Sequence, residues 1–220
     1  LVHGEVVSPD IDIFDREAAF LDTVLAPMLR NFPALKVVLE HITTADSVQF
    51  VQAAGPTVAA TITAHHLRID RNALFEGGLR PHAYCLPVAK RRRHRTALRK
   101  AAISSNPKFF LGTDSAPHQK QDKESGCGCA GIFSAPIALE SYALTFDEEG
   151  ALDRLEAFAS EFGPSFYGLP LNEGTISLHR ETHTVPETMG QGDVCLVPFH
   201  AGETLAWRAS DRSSHRHKLS

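Results

Sequence analysis

The stretch FFLGTDSAPH, residues 109–118, decides how the rest of the chain reads. An apolar run closes in Gly-Thr, presents Asp114, and reaches His118 four positions later. Two upstream stretches do the same. LVHGE, residues 1–5, puts His3 behind Leu1-Val2, and LKVVLEH, residues 35–41, puts His41 behind a run of valines and leucine. Three short apolar segments therefore each end in a residue that can hold a metal or move a proton. That placement is what a parallel sheet covered by helices produces at the C-terminal ends of its strands.

The segments between them support this. Residues 15–31 carry Ala18, Leu21, Val24, Leu25, Met28 and Leu29 at helical spacing, with Pro27 predicting a kink or a break. Residues 36–39 read as a buried strand, 46–54 as a short helix stopped by Gly55-Pro56, and 58–63 as a strand. Residues 90–104 read as a helix and 108–112 as a strand. Strand alternating with helix is the α/β pattern, and its barrel form places chemistry where His3, His41 and Asp114 fall. Beyond Ala135 the rhythm changes. Helices are expected over 136–146 and 152–162, the second ended by Gly163-Pro164, and weak strands over 176–178 and 194–197. The polar stretch 208–220 reads as a disordered tail.

The chain has 220 residues, 43% of them hydrophobic, enough for a sizeable core. A net charge of −4 argues against a nucleic-acid partner, and no apolar run approaches the ~18 residues of a membrane span. The four cysteines do not form a secreted disulfide pattern, which favours a reducing cytosol. The basic run 90–100 reads as a solvated helix face.

Imidazole and carboxylate suit zinc, and catalytic zinc keeps a position open for water. A lone strand-end histidine is usually structural, but three ligand types at equivalent strand ends are harder to dismiss. His118 would contact an anionic substrate group or stand in a surface loop. Of His65-His66, at most one should face the site if the segment is extended. Cys127-Gly128-Cys129 lacks the second pair of a structural zinc site, so its glycines are better read as letting backbone pass close to a ligand.

Taken together, LVHGEV, DIDIFDREA, LKVVLEHITT, AATIT, GGLRPHAYCLPVAKR, FFLGTDSAPH, KESGCGCAG, FYGLP and VPFHAGET resemble the class II bacterial dihydroorotases of the metal-dependent amidohydrolase superfamily. The match runs in order from Leu1 to about Trp207. The resemblance implies a (β/α)₈ TIM barrel with two zinc ions. It implies reversible cyclisation of N-carbamoyl-L-aspartate to L-dihydroorotate by a cytoplasmic homodimer in pyrimidine synthesis. Carried over by motif, His3 and His41 would bind one zinc. Asp114 would bind the other and serve as general base and acid. His118 would help hold the substrate carboxylate, and the backbones of Leu86 and Ala130 would hydrogen-bond the ring amide.

The family's pattern also has a His-x-His pair, an arginine, an asparagine and a bridging carbamylated lysine, all ahead of the equivalent of Leu1. The chain therefore reads as the part of one barrel from the fifth strand onward, residues 1–207. Ala64-His65 stands where the family tends to have Pro-Gln. A hydantoinase-like cyclic amidase and a half-barrel that needs a partner are the competing readings.

Overall fold

The structure, a computed structural model, describes residues 1–211. Its centre is a four-stranded parallel sheet in simple sequential order. Strand β1 is Val2–His3. It leads to a helix built in three pieces: α1 (Arg16–Phe20), a wide turn over Leu21–Leu25, and α2 (Ala26–Asn31). The expected break at Pro27 is this wide turn, in which the Ala26 N–H reaches back to the carbonyl of Leu21. A proline ring clashes with the carbonyl four residues before it, and widening the turn relieves the clash without ending the helix.

Strand β2 (Val37–Glu40) precedes α3 (Ala45–Ala53), which Thr44 caps by accepting the Ser47 N–H at 3.0 Å. Strand β3 (Val58–Ile62) runs into α4 (Ala64–Arg68), capped in the same way by Thr63. Helix α5 (Arg92–Ala102) returns the chain to β4 (Phe109–Leu111). A short α6 (Lys120–Lys123) is followed by α7 (Ala138–Glu148) and, past a second wide turn at Ala157–Glu161, by α8 (Phe162–Tyr167).

The sheet pairs Val2 with Leu39, Val38 with Ala59 and Ala60 with Phe109. Alternation sends Val37, Leu39, Val58, Ala60, Ile62 and Phe109 to one face, where α3, α5 and α7 cover them with Val51, Leu98, Tyr142 and Phe146. Each large side chain fully buried there contributes about 1.5–3 kcal/mol. Val38, Ala59 and Phe110 point to the other face, against Phe162 and Phe166 of α8. Both faces being apolar is why these strands read as continuous runs.

Three expectations are corrected. The second late helix does not stop at Gly163-Pro164: the wide turn ahead of Pro164 accommodates its ring, and the helix ends at Gly168, whose φ of 71° suits glycine. Residues 194–197 form no strand; Leu196 makes isolated bridges to Met189 and Gln119 on opposite sides, and Pro198 interrupts the run. Arg208–Asp211, read as the start of a disordered tail, is a strand paired antiparallel with Ile176–His179. It reads as polar because it is a surface ribbon, tied down by Arg208 to Glu181 at 2.9 Å and by the Glu140 carboxylate accepting the Ala209 N–H. The rest of that segment lies outside the described residues. The basic run is a helix face whose Arg99 pairs with Glu148 and Glu149 and whose Arg95 approaches Asp70.

Candidate active site

The four parallel strands end on one side of the sheet, and the expected site residues collect there. His3 closes β1, His41 follows β2, and Asp114 lies three residues past β4. His3 Nδ1 and His41 Nε2 are 3.4 Å apart, and their rings meet edge to face at 4.9 Å. Two nitrogens bound to one zinc at about 2.0–2.1 Å in a tetrahedron would be separated by roughly 3.4 Å. His3 Nε2 is taken by Glu5 Oε2 at 3.2 Å, the carboxylate partner that fixes the ring of a metal-ligating histidine. His41 is buried, and its Nδ1 has no hydrogen-bond partner among the described residues. Burial, then the neighbouring His3, lowers its pKa and favours the neutral imidazole that a metal requires. The donor set thus fits a metal ion.

His41 and Asp114 share a φ of 42°, in the left-handed region that non-glycine residues avoid. Such a conformation persists where surroundings enforce it. At His41 the enforcement is visible. Its N–H donates to Thr61 Oγ1 at 2.7 Å, and Ile42 N–H donates to the Thr61 carbonyl at 3.0 Å. Just beyond, the buried carboxylate of Glu17 accepts from the backbone N–H and hydroxyl of both Thr43 and Thr44. The Ser47 hydroxyl completes that set. Tyr142 of α7 donates to the Ile62 carbonyl at 2.7 Å, fixing the end of β3.

Asp114 accepts no hydrogen bond among the described residues. Loss of hydration beside the protein raises its pKa, and the opposing charge of His3 partly offsets the rise. His118 Nε2 lies 3.1 Å from the Ala130 carbonyl. Gly131, at φ 151°, permits this approach, since a Cβ there would stand 2.9 Å from His118 and from the Ala116 carbonyl. Leu86 is partly exposed, and neither its N–H nor that of Ala130 has a partner among the described residues. The two loops are tied by Lys123, whose ammonium donates to the carbonyls of Tyr84 (2.9 Å), Cys129 (2.8 Å) and Gly131 (2.7 Å).

His65 and His66 correct an expectation. They lie on helix α4 rather than an extended segment, and both are buried, with ring centroids 4.5 Å apart. Cys127 and Cys129 sit near the surface with sulfurs 4.0 Å apart. Sequence reading missed Glu17, Thr61, Lys123 and Tyr142. Glu17 alone left a trace, as an acid inside an apolar helical stripe; the others act through backbone carbonyls and amides that carry no sequence mark.

A parallel α/β sheet with imidazole and carboxylate side chains at its strand ends is part of a barrel fold, and the solved structures it matches are barrels of the amidohydrolase class. D-hydantoinase from Thermus sp. shares that fold at a TM-score of 0.67 and 16% identity, over 90% of this chain and 45% of its own. The chain is more specifically a homologue of the dihydroorotases. It is 63% identical to dihydroorotase of Sphingopyxis alaskensis over 94% of its length, and 60% identical to that of Hahella chejuensis over 95%. The crystal structure of Saccharomyces cerevisiae dihydroorotase in complex with 5-fluoroorotic acid matches 95% of it, at a TM-score of 0.86 and 35% identity. The chain spans 60%, 61% and 62% of those three relatives respectively. No family model matches it.

Proposed function

We propose that this chain supplies the metal- and substrate-binding strand ends of a zinc-dependent dihydroorotase, which interconverts N-carbamoyl-L-aspartate and L-dihydroorotate. The observation that carries the reading is the His3–His41 pair, with facing ring nitrogens 3.4 Å apart and the His3 ring held by Glu5, in a chain 63% identical to a dihydroorotase. His3 and His41 would hold one zinc and Asp114 the other. Bound metal supplies a nucleophilic water near neutral pH and offsets charge developing on the ring carbonyl oxygen.

The chain's own residues do the rest. Asp114 takes the proton released as water oxygen bonds to the ring carbonyl carbon, and gives it to the ring nitrogen as the C–N bond breaks. The free N–H groups of Leu86 and Ala130 would hydrogen-bond the ring amide. His118, with Nε2 engaged by Ala130, keeps Nδ1 for the substrate carboxylate. The same reading assigns a cytoplasmic homodimer. The four cysteines are free thiols, which suits a reducing compartment.

The test is a pair of assays on the protein at its natural length, with dihydroorotate and with a 5-substituted hydantoin. Turnover of dihydroorotate at least a hundredfold above hydantoin is expected. A preference for hydantoin would overturn the assignment.

A further inference from the structure

Beside the strand-end site, one cluster has no part in the proposed chemistry. His65, His66 and Cys85 are all buried, and their ligand atoms lie within 4.8 Å of one another. His66 Nε2 is 3.6 Å from Cys85 Sγ. With metal–nitrogen and metal–sulfur bonds of about 2.0 and 2.3 Å, a tetrahedral ion would set nitrogen and sulfur roughly 3.5 Å apart. The Pro87 carbonyl stands 3.0 Å from that nitrogen and 3.4 Å from that sulfur, in position to be a fourth ligand. Thr63 Oγ1, 2.8 Å from His66 Nδ1, is the outer partner that would orient the ring once Nε2 carried a metal.

The decisive member is His65. It is fully enclosed, yet neither ring nitrogen has a hydrogen-bond partner among the described residues. A buried polar group left without a partner is rare and asks for an explanation. We propose that His65, His66 and Cys85, with the Pro87 carbonyl, form a second metal site for a borderline divalent ion of the zinc class, separate from the His3–His41–Asp114 site.

Two imidazoles and one thiolate are a zinc-type donor set. Both imidazoles are held neutral by burial, as ligands must be. Cys85 binds by giving its thiol proton to solvent as the sulfur–metal bond forms; without an ion, burial pushes that thiol up to about 12. Such an ion would tie α4, at the end of β3, to the turn that carries Leu86, and so serve as a structural brace. The site stands whether or not the dihydroorotase reading does, because no ligand in it belongs to that chemistry.

The experiment uses the protein at its natural length, stripped by chelator and reloaded with cobalt(II). A cobalt–thiolate charge-transfer band is expected in the near ultraviolet, saturating at one cobalt per chain. Cys85→Ser should abolish it, and the Cys127→Ser/Cys129→Ser double variant should retain it. His65→Gln, which keeps a polar side chain of similar length, should weaken cobalt binding in that band at least tenfold while circular dichroism is unchanged. Absence of the band in the parent protein would overturn the proposal. So would its survival in Cys85→Ser, its loss in the double variant, or unaltered affinity in His65→Gln.

Discussion

Asp114 and His41 hold the same unfavourable backbone angle at the ends of two strands that are not neighbours in the sheet. In the proposed function both are metal ligands, so their roles depend on side-chain chemistry as well as position. Asp114→Asn keeps the shape and removes the proton acceptor. In the natural-length protein it is expected to lower kcat by at least a thousandfold with an unchanged circular dichroism spectrum; near-normal kcat would remove Asp114 from its assigned role. Gly112 argues in the opposite direction, through packing. A Cβ there would lie 2.5 Å from the Cβ of Thr61, whose hydroxyl receives the His41 N–H. Gly112→Ala is expected to cost about 1–3 kcal/mol in urea unfolding, the usual price of overpacking, and to reduce activity through His41. His65 gives a pH signature. Burial lowers its pKa to about 3, so between pH 6.5 and 3 the unfolded chain binds a proton that the folded one refuses. Stability is complete above pH 6.5 and falls as pH drops, by about 1.4 kcal/mol per unit once well below 6.5. With metal removed by chelator, urea midpoints from pH 7.5 to 5 should report a loss of roughly 2 kcal/mol from this group, relieved in His65→Gln.

At the scale of elements, legibility followed the energetics. β2, β3 and β4 were readable because both faces of the sheet are buried and the strands had to be apolar throughout. Helix α5 was readable from one buried stripe, Leu98, Ala101 and Ala102, on an otherwise basic segment. Pro27 was read as a kink or break and is a widened turn, whereas Gly163-Pro164 was read as a helix end and the helix runs on to Tyr167. Whether a helix stops or widens by one residue depends on the packing of the next turn. The Arg208–Asp211 ribbon escaped notice because backbone bonds hold it and no apolar pattern is needed. The strand-end positions of His3, His41 and Asp114 were legible, since each sits where a strand stops. Their supports were not, because carbonyl and amide contacts leave no residue type behind. Lys123 is the clearest such support. Replacing it with Met would leave three carbonyls without their shared donor and loosen both loops that carry Leu86 and Ala130. Lys123→Met is expected to cost about 1–3 kcal/mol and to raise KM for dihydroorotate more than it lowers kcat. A fall in kcat alone would place Lys123 in the chemistry rather than in positioning.

For the whole molecule, what matters is what residues 1–220 can do by themselves. β1 and β4 are the outer strands of the sheet, each paired on one side only among the described residues. An unpaired edge leaves backbone donors and acceptors open to other chains. β1 carries His3, whose side chain is 47% exposed, so a ligand of the proposed zinc site lies on the least supported strand. The inner face of the sheet, Val38, Ala59 and Phe110, is covered by α8 through Phe162, Phe166 and Tyr167. For the proposed two-zinc site the described residues offer His3, His41 and Asp114, too few to hold two ions in fixed geometry. A preparation verified by intact mass to begin at Leu1 and end at Ser220 should therefore show no hydrolysis of dihydroorotate above background, with or without added zinc. It should also associate or aggregate in size-exclusion chromatography, because its edges are open. Turnover by the 220-residue chain alone would mean that three ligands on four strands already assemble a competent centre.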